Sequence, residues 1–129
     1  MKLTTNQIET ILQTAISYIG HPYSAEFCCV DFVRKVYDSV GIKIPKLRSY
    51  SPPAEFNIKK EDLAHPPVGH LMFLKDRSDP RQDRAWTHVV IIMPDLLCIH
   101  CSLFFGEKVV ISPLLDIFKK YDFVDSNTA

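Results

Sequence analysis

EFCCVDFV, residues 26–33, sets two cysteines side by side where a turn-rich segment gives way to a strongly periodic apolar pattern. From Cys29 onward, Phe32, Val33, Val36, Tyr37 and Val40 recur at steps of three and four, so a helix with one buried face is expected over residues 29–40. Cys29 heads that stripe and its sulfur is expected to point inward, whereas Cys28, about 100° round, does not share the face. A thiol at a helix amino terminus feels the positive end of the macrodipole, which favours thiolate over the free thiol's pKa of about 8.5. Cys29 is therefore the candidate nucleophile. Its own backbone N–H, in the first helical turn, is a candidate donor to an oxyanion.

Upstream, Thr4 and Gln7 have capping-box spacing, and Ile8, Ile11, Leu12, Ala15, Ile16 and Ile19 follow helical steps until Gly20 and Pro22. Downstream, prolines 45, 52, 53, 66 and 67 exclude a long regular element between Ile42 and Gly69, leaving a connection with one short turn near residues 59–63. The period then becomes extended, with strands expected at 70–76, 87–93, 96–104 and 108–112, a short helix over 114–121 and a last strand at 122–124. Helices followed by an antiparallel meander of about five strands make an α+β fold, with the helices covering one face of the sheet. At 129 residues, a single domain over 1–129 is expected.

Fifteen Lys and Arg balance fifteen Asp and Glu, so no net field draws in nucleic acid, and no apolar run is long enough to cross a membrane. Neither is expected as a partner. The amino terminus, MKLTTNQIETILQ, lacks the continuous apolar segment of a secretory signal, so the chain as given is expected in the cytoplasm. That compartment makes reduced thiols the expectation for Cys28, Cys29, Cys98 and Cys101.

A thiolate nucleophile needs a base, and the base needs a partner that fixes its tautomer. His88 opens one strand and shares a face with Val90 and Ile92; His100 lies in the next strand, sharing a face with Cys98 and Ser102. A short turn joins the two strands, so the histidines are expected to be cross-strand neighbours or nearly so.

In this order the chain resembles the NlpC family of papain-like cell-wall peptidases. YIGHPY (18–23) is similar to the family's opening, FCCVDFVRKVYDSVGIKIP (27–45) to its nucleophile helix, and VGHLMFL (68–74) to its first strand. WTHVVIIM (86–93) and CIHC (98–101) resemble the strands bearing its histidine and its third polar residue. The resemblance implies a papain-like, NlpC-type fold with Cys29 as nucleophile, His88 as general base and acid, and His100 orienting His88. It implies that Tyr23 binds substrate or the oxyanion, and that no cofactor is needed. The implied reaction is hydrolysis of an amide or peptide bond through a thioester, in a peptidoglycan stem peptide or a similar γ-linked peptide.

The sequence departs from the family where Asp-Cys-Ser-Gly becomes Cys28-Cys29-Val30-Asp31, Gly-Gly becomes Ser24-Ala25-Glu26, Arg-Thr-Ser becomes Lys46-Leu47-Arg48-Ser49, and Gly-Asp becomes Gly69-His70. Three other readings compete. A structural zinc site would use the four cysteines and His100, although Cys98 and Cys101 should face opposite sides of a strand. An acyltransferase or a catalytically silent binding module could use the same core, as could the related cysteine- and histidine-dependent amidohydrolases. Trp86 reads as packing, Arg34, Lys35 and Asp38 as a solvated helix face, and DRSDPRQDR (76–84) as a mobile hairpin tip.

Overall fold

A computed structural model describes residues 2–46, 51–81 and 83–126. Helix α1 (Thr5–Ser17) begins with the expected reciprocal cap: Gln7 N–H donates to the Thr4 hydroxyl at 3.1 Å, and Thr4 N–H donates to Gln7 Oε1 at 2.9 Å. The helix buries Ile11 and Ala15 but leaves Ile16 and Ile19 46 % and 49 % exposed. The expected stripe thus stops a turn early, because α1 ends at Ser17 and the chain turns away toward the sheet. Helix α2 (Cys29–Asp38) buries Cys29, Phe32, Val33, Val36 and Tyr37 as the periodicity requires, and Val30 besides. It is two residues shorter than expected. Gly41, at φ +76°, supplies the left-handed residue that ends such a helix.

Strands β1 (Leu71–Asp76), β2 (His88–Met93), β3 (Leu97–Ser102) and β4 (Lys108–Pro113) form the expected antiparallel meander. A five-residue helix α3 (Leu114–Phe118) leads to β5 (Tyr121–Phe123), which returns to pair with β1 and gives the order β4-β3-β2-β1-β5. The α+β architecture is as the sequence implies. Helix α2 lies on β2 and β3, so Val89, Ile91, Ile99 and Cys101 face the helical layer.

The opposite face is not left to solvent, contrary to the expectation that helices cover one side alone. Met72, Leu74, Val90, Ile92 and Cys98 pack there against Ile58, Leu114, Ile117 and Tyr121. The near-continuous apolar runs in β1 and β2, buried on both sides, are the reason: strictly alternating strands would have left one face polar. Cys98 and Cys101 accordingly lie on opposite faces.

The proline-rich connection carries a short 3-10 turn (Lys60–Asp62) and is fastened to the edge of β1 by Asn57. Asn57 Oδ1 accepts from Phe73 N–H at 3.1 Å while its Nδ2 donates to the Val124 carbonyl at 2.8 Å. It therefore satisfies backbone groups where β5 has ended. Because Asn57 is buried, Asn57→Ala leaves a buried donor and acceptor without partners, an expected loss of about 1–3 kcal/mol. Chemical denaturation should show a lower midpoint with an unchanged slope.

Candidate active site

Cys29 belongs to the helical layer, whereas His88 has the strand parity of the other face, so the two can meet only where β2 begins and the sheet ends. A cleft of about 580 Å³ opens there, lined by Cys29, His88 and Tyr23 among others. The Cys29 thiol makes a long contact, 3.9 Å, with the Thr87 carbonyl, one residue before His88. Tyr23 is brought to the cleft by a short ladder along the edge of β4. Gly20 N–H donates to the Val109 carbonyl at 2.9 Å, and Tyr23 N–H donates to that of Glu107 at 2.8 Å.

Each histidine relation follows from strand register. Ile92 pairs with Cys98 and Ile91 with Ile99, which sets His100 two positions diagonally from His88 on one face. His88 Nε2 lies 2.7 Å from His100 Nδ1, and His100 Nε2 lies 2.9 Å from the Ser112 hydroxyl. Ser112 pairs with Cys98, so the second step repeats the same diagonal onto β4. Burial pushes His100 down to about 4, so it is neutral at pH 7 with one N–H to give. With that proton on Nε2, donating to Ser112, Nδ1 is an acceptor for His88 Nε2–H in both charge states of His88. His88 Nδ1 is then the nitrogen left to exchange a proton.

Two contributors went unread in the sequence. Ser112 closes the strand expected at 108–112, and its parity matches that of His100 one strand away. Tyr121 stacks on His88 with ring centroids 5.0 Å apart and planes 19° from parallel. It comes from β5, whose position beside β1 requires knowing the whole sheet order. Burial, with the Asp76 charge behind it, raises the Tyr121 phenol well above its usual value, so it is neutral.

The charged segment after β1 is more than a hairpin tip. Asp76, Ser78, Asp79, Arg81 and Arg84 form one wall of the cleft, with Leu103 and Phe104 of the β3–β4 turn lining it as well. Lys75 Nζ donates to the carbonyls of Arg81 and Arg84 at 3.0 and 2.6 Å, which tethers the segment to β1. Trp86 is fully buried edge-on to Phe73, as packing.

The cysteine doublet also differs from expectation. Cys28 was placed off the inward face, but as the N-cap of α2 it is only 8 % exposed and belongs to the same core as Cys29. Of the two, Cys29 lines the cleft. A hydrogen bond between the two thiols favours one thiolate in the pair, while burial and the Asp31 carboxylate oppose its forming on Cys28. The negative charge near the head of α2 is thus a property of the pair and not of Cys29 alone.

The fold is that of NlpC/P60 domains. An NlpC/P60 family protein from Bacillus cereus ATCC 10987 superposes with a TM-score of 0.69 at 24 % identity, over 92 % of this chain and 39 % of that one. The NlpC/p60 domain of the peptidoglycan hydrolase SagA gives 0.64 at 23 % identity, over 93 % and 98 %. RipD from Mycobacterium tuberculosis, described as a non-catalytic NlpC/p60 domain protein adapted to peptidoglycan binding, gives 0.62 at 14 % identity, over 85 % and 89 %. The chain spans only 39 % to 58 % of three of the longer structures it matches. No family model and no curated protein matches the sequence. Of the family's Arg-Thr-Ser counterpart at 46–49, only Lys46 lies within the described residues.

Burying His100 neutral has a pH consequence of definite sign. Below about pH 6.5 the unfolded chain takes up a proton there that the folded chain refuses until about pH 4, so stability is full above the first value and falls toward the second. The loss approaches about 3 kcal/mol at the acid end. His100→Asn keeps an acceptor near Nδ1 but does not titrate. Urea midpoints at neutral and mildly acidic pH should therefore fall less on acidification in that variant than in the parent.

Proposed function

We propose that this protein is a cysteine hydrolase that cleaves an amide or peptide bond in peptidoglycan stem peptide, or in a similar γ-linked peptide, through a thioester. The observation that carries the reading is the hydrogen-bonded chain His88–His100–Ser112, whose first member lines the same cleft as Cys29 at the head of α2, on an NlpC/P60 fold. Hydrolase chemistry in relatives such as SagA supports the choice of substrate class.

In this mechanism His88 Nδ1 takes the Cys29 proton and the thiolate attacks the scissile carbonyl carbon. The oxyanion receives hydrogen bonds from the Cys29 backbone N–H and the Tyr23 hydroxyl. His88 then gives its proton to the departing amine, and a water activated by the same nitrogen hydrolyses the thioester and regenerates the thiol. His100 supplies an acceptor but no countercharge, so the imidazolium here relies on the Tyr121 face for part of its stabilisation. The charged wall and the apolar Leu103 and Phe104 offer a backbone-polar peptide two chemically different edges.

Incubation with purified peptidoglycan, followed by mass spectrometry of the fragments, should reveal one new pair of termini. Cys29→Ala or His88→Ala should reduce their appearance by about a thousandfold or more, since members of such a unit fail together. Binding of peptidoglycan with no new termini would overturn hydrolysis in favour of a binding role.

A further inference from the structure

We propose that the Asp31 carboxylate decides which sulfur of the Cys28–Cys29 pair carries negative charge, holding Cys28 as a neutral hydrogen-bond donor so that thiolate forms on Cys29. The inference rests on Cys29 being the nucleophile for its functional meaning, but its test reads thiol chemistry and does not need turnover. Asp31 sits in the first turn of α2. Its Oδ2 accepts from the Cys28 thiol at 3.0 Å and from Cys28 N–H at 3.1 Å, and its Oδ1 accepts from Lys46 Nζ at 2.8 Å.

A charge on Cys28 would turn that thiol contact from donor and acceptor into two anions about 3 Å apart. A charge on Cys29 leaves it intact. The competition is real, because a thiolate on Cys28 would in turn accept from the Cys29 thiol. Without Asp31, two adjacent sulfurs at one helix terminus have little to separate them, and the anion would divide between the cleft and a buried site that substrate does not reach.

The other groups facing the pair do not make this choice. Lys46, half-exposed, neutralises part of the Asp31 charge, and Arg34 lies near enough to act on Lys46. Cys101 on β3 is pushed up to about 11, chiefly by burial and with the Asp31 charge adding to it, so it is no rival thiolate. Tyr23, His88 and Tyr121 line the cleft with Cys29, and charge on Cys29 bears on Tyr121. Asp31 is thus a positioning residue.

The test measures the rate of Cys29 alkylation by iodoacetamide in the native chain over about pH 6 to 9, together with the ultraviolet absorbance of thiolate. Asp31→Asn should slow Cys29 alkylation about tenfold while thiolate absorbance persists, because the charge has moved to Cys28. Adding Cys28→Ser to Asp31→Asn should restore the rate, a rescue that a merely structural role would not permit. Cys28→Ser alone keeps a donor for Asp31 and should leave Cys29 alkylation within about twofold of the parent. The proposal is overturned by an unchanged rate in Asp31→Asn, by no rescue in the double variant, or by a tenfold fall in Cys28→Ser alone. Failure to cleave peptidoglycan alongside these shifts would instead refute the hydrolase reading.

Discussion

Burial of one stripe of α2 against β2 and β3 is the constraint from which the site follows. Phe32, Val33, Val36 and Tyr37 fix the rotation and depth of the helix, and Cys29, being the first residue of the same stripe, is carried to the start of β2. The Tyr37 hydroxyl adds a tie at the other end of the helix by donating to the Gly69 carbonyl, just before β1. Gly69 adopts φ +84°, and a side chain there would also press on Ile8 of α1, so this junction holds helices and sheet in one relation. Shifting α2 by one residue would withdraw the sulfur from the cleft and bury a different atom there.

The two histidines and Ser112 show how an antiparallel sheet can build a hydrogen-bonded chain of side chains without any loop. Two successive diagonal steps, from β2 to β3 and from β3 to β4, each keep the same face, and each is fixed by backbone pairing. A neutral imidazole in the middle is compatible with this burial where a carboxylate would need compensating donors. Burial also makes the arrangement directional, because a His100 that resists protonation cannot act as a second acid and can only receive from His88.

Much of this was legible from residue spacing, and the parts that were not have a common cause. Periodicity of 3.6 and 2 located α1, α2 and the strands, and the order Cys29, His88, His100 located the candidate trio, because those signals are local. Ser112, Tyr121 and the cleft wall of Asp76, Ser78, Asp79, Arg81 and Arg84 depend on which strands become neighbours and where the sheet stops, which no window of sequence contains. The exposed Ile16 and Ile19 mislead for the same reason: a helical stripe says which side is apolar but not how far the partner surface extends. Cys28 was misplaced because an N-cap residue has extended and not helical backbone, so the angular rule for helix positions does not govern it.

That last point changes what the replaced motif means. Reading Cys-Cys-Val-Asp beside Asp-Cys-Ser-Gly suggests that an acid has been lost before the nucleophile. In three dimensions a carboxylate is still close by, three residues onward. Asp31 caps the helix terminus by accepting from the N-cap backbone N–H. The helix thus has its acidic cap with a thiol at the N-cap position. A neutral donor fits beside that carboxylate and a second anion does not, so the substitution is tolerable only if charge stays on the neighbouring sulfur. The doublet can keep its charge on one sulfur because the Asp31 carboxylate lies within hydrogen-bonding distance of Cys28.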